Sequence, residues 1–172
     1  MPVKPDKKKS ALDLRREKRL VRFLPIALDV RGQKIVVVGG GKVALQKLKT
    51  LLLFGPKVTV CAKEVMPEIK ALAGVRCFRM PYQAGLLKGA VLVYACTSSR
   101  TTNRAVARDA AAQRILCNVA DDTDVCAFIS PAVLVEGDLI VAINSQGRAP
   151  KAAREARDFI KEKIHEFYHG RG

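Results

Sequence analysis

Residues 33–44 read QKIVVVGGGKVA, a short run of β-branched residues that ends at three consecutive glycines. A run of Ile and Val of this length is typical of a strand buried on both faces of a parallel sheet. The following residues, 42–54, carry apolar side chains near helical spacing, and Gly55-Pro56 ends the pattern. Together these segments predict a strand, a tight glycine turn and a helix.

The glycine turn fits the pattern G-x-G-x-x-A over residues 39–44. The first glycine permits the turn, the second lets the backbone approach a pyrophosphate, and Ala44 lets the helix pack closely on the strand. Phosphates then lie at the helix N-terminus, where free N–H groups and the helix dipole favour anions. The alternative is a tight strand–helix turn without a ligand. The strand on each side and the helix between them favour dinucleotide binding.

The end of the second strand leaves the choice of dinucleotide open. An acidic residue that binds the adenosine ribose is expected about 20 residues beyond Gly39. Cys61 stands near that place, Glu64 follows a few residues later, and Lys63 lies beside it. The expected acid is missing and a lysine is present, so the site could admit the 2′-phosphate of NADP. The sequence therefore does not choose between NAD and NADP.

The rest of the chain alternates strands and helices, which predicts an α/β fold with a Rossmann-like doubly wound parallel sheet. Further strands are predicted at 57–60, 75–78, 90–95 and 115–119, with helices at 67–73 and 101–113. After Asp124 the pattern changes to two strand-like runs, 127–135 and 139–144, joined by a turn at Gly137-Asp138, and then to a charged helix over 151–168.

Polar residues follow three of the predicted strands. Thr97, Ser98 and Ser99 follow the fourth strand, where they would contact the cofactor, cap the next helix, or do both. The loop that contains Asp121 carries three acids after the fifth strand, and it offers a general base, a cation ligand or plain turn residues. Residues 144–148 precede Pro150, and they form either an anion-binding helix N-terminus or a simple turn.

The charge balance predicts an anionic partner. The chain has 31 Lys and Arg against 16 Asp and Glu, a net charge of +15, and residues 1–22 contribute +6 of it as a basic tail. Such an excess attracts nucleic acid, anionic membranes or acidic small molecules. Only nine aromatic residues occur, without an interleaved basic and aromatic patch, so a base-stacking platform has little support.

The sequence predicts a cytoplasmic protein without a membrane segment. The longest stretches free of charge, 89–99 and 125–135, have 11 residues each, against roughly 18–20 for a membrane span. The basic start leads into the charged run 13–19 and not into the apolar core of a secretory signal. Five cysteines without a C-x-x-C pair favour neither a disulfide framework nor a zinc site. His165 and His169 are predicted to be surface residues on the last helix.

Five motifs in order give the chain a family resemblance. They are FLPIALDVRG (23–32), VVVGGGKVA (36–44), CNVADD (117–122), FISPA (128–132) and INSQGRAP (143–150). Over residues 23–160 the chain resembles the precorrin-2 dehydrogenases, the siroheme-synthase domain. The resemblance implies NAD-dependent oxidation of precorrin-2 to sirohydrochlorin, with insertion of Fe²⁺ or Co²⁺ in some members. It also implies a homodimer.

The resemblance implies a domain organisation: a basic tail (1–22) outside it, an NAD-binding Rossmann domain (23–118), a dimerisation segment (119–148) and a short C-terminal helical segment (149–172). The catalytic residue it implies is Asp121. The cofactor-binding positions are Gly39, Gly40, Gly41, Lys42, Val43, Lys63, Glu64 and Thr97. The substrate-binding positions are Asn118, Ser145 and Arg148, and no metal-ligating residue is implied.

Precorrin-2 is a polycarboxylate, which would account for the positive charge without a nucleic-acid or membrane partner. Candidate cations for its carboxylates are Arg31, Arg100, Arg104, Arg148 and Lys151. Two rival functions remain at this point. One is a nucleotide-sensing domain of the same fold without turnover, and the other is a nucleic-acid binder that uses the basic tail.

Overall fold

The computed structural model describes residues 21–169, and most of the predicted tail lies outside this range. A five-stranded parallel sheet consists of β1 (Lys34–Val38), β2 (Lys57–Ala62), β3 (Val75–Arg79), β4 (Ala90–Ala95) and β5 (Leu116–Val119). The helices are α1 (Lys42–Leu51), which continues as a 3-10 turn over Leu52–Phe54, α2 (Pro67–Lys70), α3 (Arg100–Ala112) and α4 (Pro150–His169). Further 3-10 turns cover Ala84–Leu87 and Thr123–Val125. A separate antiparallel pair consists of β6 (Ala132–Glu136) and β7 (Leu139–Ile143).

The strand order of the large sheet is β3-β2-β1-β4-β5, and every neighbouring pair is parallel. The chain runs outward from β1 to β3 and then crosses back to place β4 on the other side of β1. Such a reversal opens a crevice beyond the carboxyl ends of the two central strands, which is where doubly wound sheets bind ligands. The predicted Rossmann-like sheet is therefore confirmed, with the glycine turn at the crevice.

Strand β1 is central because both of its faces are covered. Four of its five residues are buried, with Ile35 and Val37 in one apolar cluster and Val36 and Val38 in the other. Helix α1 supplies Ala44 and Leu48 to the first cluster, and α3 supplies apolar residues to the second. This two-sided burial explains why the strand reads as a continuous apolar run and not as an alternating one.

The strand predicted at 127–135 is wrong at its start, because β6 begins only at Ala132. Ala127 and Phe128 bond instead to the edge of the large sheet. The Ala127 amide donates to the Cys117 carbonyl (2.8 Å), and the Phe128 carbonyl accepts from the Asn118 side-chain amide (3.0 Å). The turn is confirmed: Glu136 pairs with Leu139, and Gly137 takes the positive φ of +55° that favours glycine.

Two predicted helices are shorter in the structure. The helix predicted at 67–73 has only four residues, and the α-helical part of 42–54 ends at Leu51 before its 3-10 turn. Helix α4 packs on the β6–β7 hairpin and buries Ala153, and Leu134 of β6 is buried as well. None of the helices within residues 21–169 is long and apolar enough to cross a membrane. The side chains of His165 and His169 lie outside the described ones.

Candidate active site

The glycine turn is fixed from the strands on both sides. The Gly39 amide donates to the Cys61 carbonyl at the end of β2 (2.9 Å), and the Gly40 carbonyl accepts from the Met66 amide (3.0 Å). Gly39 has φ +123°, and a Cβ there would lie 2.5 Å from the Cys96 carbonyl oxygen. A Cβ on Gly40 would overlap the Glu64 carbonyl. Only glycine therefore fits at positions 39 and 40.

Gly41 has different surroundings, since a Cβ there would meet nothing within 4 Å. Gly41 precedes α1 and has an ordinary φ of −97°. No side chain caps this helix, and the first turn of the helix carries no acidic residue. The first N–H groups of a helix have no partner within it and carry partial positive charge. Open space in front of such a helix end fits the pyrophosphate of a dinucleotide, so the residues present are compatible with the predicted cofactor.

Lys63 and Glu64 lie beside the same turn, because the backbone of their segment packs against Gly40. The side chains of both residues are exposed. The Cys61 thiol is buried and donates to the Met80 carbonyl (3.4 Å), so it is not available to a ribose. Lys63 and Glu64 are the charged side chains that follow β2.

Thr97 begins a hydrogen-bonded group that joins two of the predicted site residues. The buried Asn103 of α3 accepts at Oδ1 from the Thr97 amide (3.1 Å) and from the Thr97 hydroxyl (2.7 Å). Its Nδ2 donates to the Thr97 carbonyl (3.0 Å) and to Asp121 Oδ1 (2.8 Å). Ser99 caps the same helix, because its hydroxyl oxygen accepts from the Thr102 amide (3.2 Å).

The three acids after β5 have separate roles. Asp121 is exposed, and its Oδ1 accepts the hydrogen bond from Asn103 Nδ2. Asp122 is buried, accepts from Arg104 (2.9 Å) and pairs with Arg100 (3.3 Å). The Arg104 hydrogen bond is the main cause that lowers the Asp122 pKa from its ordinary 3.8. Asp124 has a side chain almost fully in solvent. Asp121 is thus the acid of this loop that is both oriented and accessible.

Asn118 is more enclosed than a simple binding residue. It is buried, and its Nδ2 donates to the Phe128 carbonyl (3.0 Å). Among residues 21–169 its Oδ1 has no hydrogen-bond partner. On the neighbouring strand, Tyr94 stands in register with Asn118, and its ring meets the edge of Phe128 with centroids 5.3 Å apart. Asn118 therefore lies under the segment that covers the end of β5.

The loop with Ser145 is tied to the loop that follows Asp121. A Cβ on Gly147 would lie 2.7 Å from a Thr123 methyl, so the two loops are in close contact. The Gln146 side chain accepts from the amides of Arg22 (3.0 Å) and Phe23 (2.8 Å), which ties the chain's first described residues to this loop. The Ser145 hydroxyl oxygen accepts from the Ala149 amide just before α4 (2.9 Å).

Of the five cations considered for substrate carboxylates, four already have acidic partners. Arg31 pairs with Asp29, Arg100 and Arg104 pair with Asp122, and Lys151 pairs with Glu155. Within the described part of the chain, only Arg148 of these five forms no ion pair. Arg148 follows Ser145 by three residues and is exposed, so it is the available cation of this loop.

Sequence reasoning missed Asn103 and Lys47. Asn103 lies on the apolar face of α3, at helical spacing from the buried Val106, Ala107 and Ala110. A polar residue on the buried face of the helix that follows β4 is the signal that could have found it. Lys47 lies on α1, with its Nζ 5.9 Å from the centroid of the Tyr94 ring. The spacing of apolar residues along this helix predicts only that Lys47 is a surface residue.

Comparisons with known proteins agree with this geometry. Residues 26–132 match a family model described as "Putative NAD(P)-binding". The chain is 41% identical to a siroheme synthase of Chromobacterium violaceum over 84% of its length, and 38% identical to siroheme synthase 1 of Cronobacter sakazakii over the same share. These matches cover 31% of each relative, so the chain spans about a third of the length of these curated relatives.

A solved structure has the same fold. The structure of SirC, precorrin-2 dehydrogenase, superposes with a TM-score of 0.68 and 25% sequence identity. The match covers 82% of this chain and 71% of that one, so it includes more than the glycine turn and its sheet.

Proposed function

From the premise that the chain belongs to this NAD(P)-binding family, we propose that it is an NAD-dependent dehydrogenase that oxidises precorrin-2 to sirohydrochlorin. Three findings support precorrin-2 as the substrate: the five ordered motifs, the siroheme synthase relatives and the solved precorrin-2 dehydrogenase. The observation that carries the proposal is the placement of an accessible carboxylate, Asp121, on the Asn103–Thr97 group at the crevice. It brings an acid–base group to the cofactor edge of the sheet.

The dinucleotide would be held by the crevice residues already described. The open space at Gly41 and the uncapped start of α1, at Lys42 and Val43, would take the pyrophosphate. Lys63 and Glu64 would border the adenosine ribose, and Thr97 would border the nicotinamide half. When bound, NAD supplies a hydride acceptor for the substrate carbon that is oxidised.

Asp121 would take the proton that leaves as the macrocycle becomes conjugated. The oxidation removes one hydride from carbon and one proton, and a carboxylate within reach can accept that proton. Asn103 donates to Oδ1 and leaves Oδ2 on the exposed side of the group. Ser145 and Arg148, on the loop against Thr123, would bind the polar edge and a carboxylate of the tetrapyrrole, and Asn118 would line the same edge.

The experiment is an anaerobic assay of precorrin-2 and NAD with wild-type protein, Asp121→Asn and the matched control Asp124→Asn. We expect turnover by the wild type and the control, and a loss of about 10²–10⁴-fold in Asp121→Asn with unchanged NAD affinity, the range typical of a general base. Full activity of Asp121→Asn would remove Asp121 from the mechanism. NAD binding by the wild type without turnover would instead favour a nucleotide-sensing domain.

Metal insertion belongs to the same proposal as a second step. Ferrous or cobaltous ion would enter as substrate, and Asp121 would receive the protons that the pyrrole nitrogens release. Within residues 21–169 no cluster of three or more His, Cys, Asp or Glu side chains is arranged to hold a metal ion. The test adds either ion to the reaction mixture after the oxidation is complete and follows the metal-bound product by absorbance. It is carried out with the wild type and with Asp121→Asn.

We also propose a homodimer that forms through the β6–β7 hairpin and α4. Large apolar side chains lie exposed on this unit, with Ile140 57% and Phe159 67% accessible. The exposed Val135 pairs with Ile140 across the hairpin and adds to the same face. Exposed apolar residues on one structural unit are typical of an interface between proteins.

The division into segments 23–118, 119–148 and 149–172 is part of this proposal. So is a cytoplasmic location, which the five free cysteines support.

A further inference from the structure

We infer that Asn103 is a positioning residue that sets the orientation of the Asp121 carboxylate, an inference that rests on the proposed role of Asp121. Asn103 is fully buried, and its side chain makes four hydrogen bonds, three to Thr97 and one to Asp121. Those bonds involve both its oxygen and its amide nitrogen. Asn103 thus joins Thr97, which follows β4, to Asp121, the first acid after β5.

The direction of these bonds fixes what Asn103 does to Asp121. Its Oδ1 accepts from the Thr97 amide and hydroxyl, so the amide is oriented with Nδ2 toward Asp121. The Nδ2–H group then donates to Asp121 Oδ1 at 2.8 Å and fixes the direction of the carboxylate. Asn103 therefore keeps Asp121 turned toward the crevice, as a general base requires.

The same bonds connect Asp121 to the cofactor side of the crevice. Thr97 directly follows Cys96, whose carbonyl lies against Gly39 of the glycine turn, and Asn103 holds the Thr97 amide and carbonyl. A shift of Asn103 would therefore move the base and the loop beside the nicotinamide half together. Buried polar groups that are fully satisfied in this way specify one arrangement of their neighbours.

The test replaces Asn103 with Asp, which has the same shape and keeps the acceptor for Thr97. The variant places a second carboxylate next to Asp121, and two adjacent carboxylates share a proton. We expect the acidic limb of the kcat–pH profile to move to higher pH by about one unit or more, with kcat at neutral pH reduced at least about tenfold. The control Ala111→Asp adds the same charge at an exposed position eight residues farther along α3.

The double variant Asn103→Asp/Asp121→Asn separates positioning from folding. It restores a donor facing an acceptor between positions 103 and 121 with the roles exchanged, although the Thr97 carbonyl still lacks its donor. We therefore expect part of the melting temperature lost in the single variant to return, while turnover stays as low as in Asp121→Asn. A wild-type pH profile and kcat in Asn103→Asp would overturn the inference. The proposed function has a different point of failure, since it would be contradicted by a wild-type protein that does not oxidise precorrin-2.

A second observation, independent of the first, concerns Lys47. Its side chain is partly buried on α1, and within residues 21–169 its ammonium has no hydrogen bond and no ion pair, only the face of the Tyr94 ring at 5.9 Å. Burial lowers the pKa of this ammonium. A partly buried cation without an acidic partner is unfavourable, and a ligand anion would offset that cost.

The surroundings of Lys47 place it at the substrate edge. The Cys96 thiol lies within electrostatic reach of both Lys47 and Asp121. The Tyr94 ring contacts Phe128, whose carbonyl is bonded to Asn118. Lys47 is therefore linked through Tyr94 and Phe128 to Asn118, one of the predicted substrate residues. The geometry points to Lys47 as a binding site for one carboxylate of the tetrapyrrole, on the condition that the proposed substrate is correct.

The test compares Lys47→Met with Lys47→Arg and with the control Lys49→Met, an exposed lysine on the same helix. We expect Lys47→Met to raise the KM for precorrin-2 by about 10- to 100-fold, the loss typical of one charge-assisted hydrogen bond, with the Kd for NAD unchanged. Lys47→Arg should restore part of the loss. An unchanged KM, or a weakened NAD affinity instead, would overturn the assignment. Absence of turnover in the wild type would again be a failure of the proposed function.

Discussion

At the scale of single residues, Gly39 and Gly41 differ although only one residue separates them. Alanine at Gly39 meets the Cys96 carbonyl in a backbone region with positive φ, so Gly39→Ala should lower the free energy of unfolding by about 2 kcal/mol or more. Alanine at Gly41 meets no protein atom and keeps an allowed φ, so Gly41→Ala should melt like the wild type. Its methyl group would occupy the pyrophosphate space and weaken NAD binding about tenfold or more.

Thermal unfolding and NAD titration of both variants check this pair. Gly41→Ala with wild-type NAD affinity would show that the dinucleotide does not approach the turn at this point. A wild-type melting temperature for Gly39→Ala would contradict the steric argument itself.

Residues of the glycine turn were predictable because their pattern is local: strand, turn and helix follow one another directly between Lys34 and Leu51. Asn103 was not, because its function depends on Asp121, 18 residues away, and on the packing that buries one face of α3. Similarly, the pairing of Arg100 and Arg104 with Asp122 removed two cations that the sequence offered for substrate binding. Sequence spacing identifies charged residues but not the partners that neutralise them.

At the scale of elements, Asp122 ties the loop after β5 to helix α3 through Arg100 and Arg104. These hydrogen bonds lower its pKa in the folded state below the ordinary 3.8. The contribution to stability is therefore complete above about pH 4 and is lost as the pH falls through the lowered folded value. Asp122→Asn should reduce the melting temperature at pH 7 and show a smaller difference from the wild type at pH 2–3.

Melting curves from pH 2 to 8 measure this effect, and Glu155→Gln is the control. Its exposed pair with Lys151 on α4 should contribute little at any pH. An equal difference between Asp122→Asn and the wild type at every pH would assign the loss to packing and not to the charge.

Element boundaries show where local patterns lose information. The run 127–135 has the composition of a strand throughout, yet Ala127 and Phe128 bond to β5 and only Ala132–Glu136 pairs with β7. Composition cannot distinguish two possible partners for an extended segment. The turn at Gly137 was predictable because a two-residue connection restricts the residues that fit.

At the scale of the whole molecule, the hairpin and α4 carry the proposed dimer interface. Ile140→Glu places a charge on the exposed apolar surface of β7 without disturbing a buried residue. Sedimentation should show a dimer for the wild type and a monomer for this variant, because a charge desolvated at an interface without a partner is strongly unfavourable. A control at an exposed polar position of α4, Arg154→Glu, should leave a dimer.

A wild-type monomer at micromolar concentration would contradict the dimer proposal and leave the dehydrogenase proposal untouched. The same mass for Ile140→Glu and the wild-type dimer would place the interface elsewhere on the molecule.

The central claim, oxidation of a tetrapyrrole by a nicotinamide at the Asp121 edge, is tested most directly by the stoichiometry of an anaerobic reaction. Precorrin-2 and NAD are mixed with catalytic amounts of protein, and NADH and sirohydrochlorin are measured together by absorbance. Oxygen is excluded because the substrate oxidises in air. We expect one NADH for each sirohydrochlorin, formed at a rate proportional to protein concentration. Sirohydrochlorin formed without NADH, or no protein-dependent rate despite bound NAD, would contradict it.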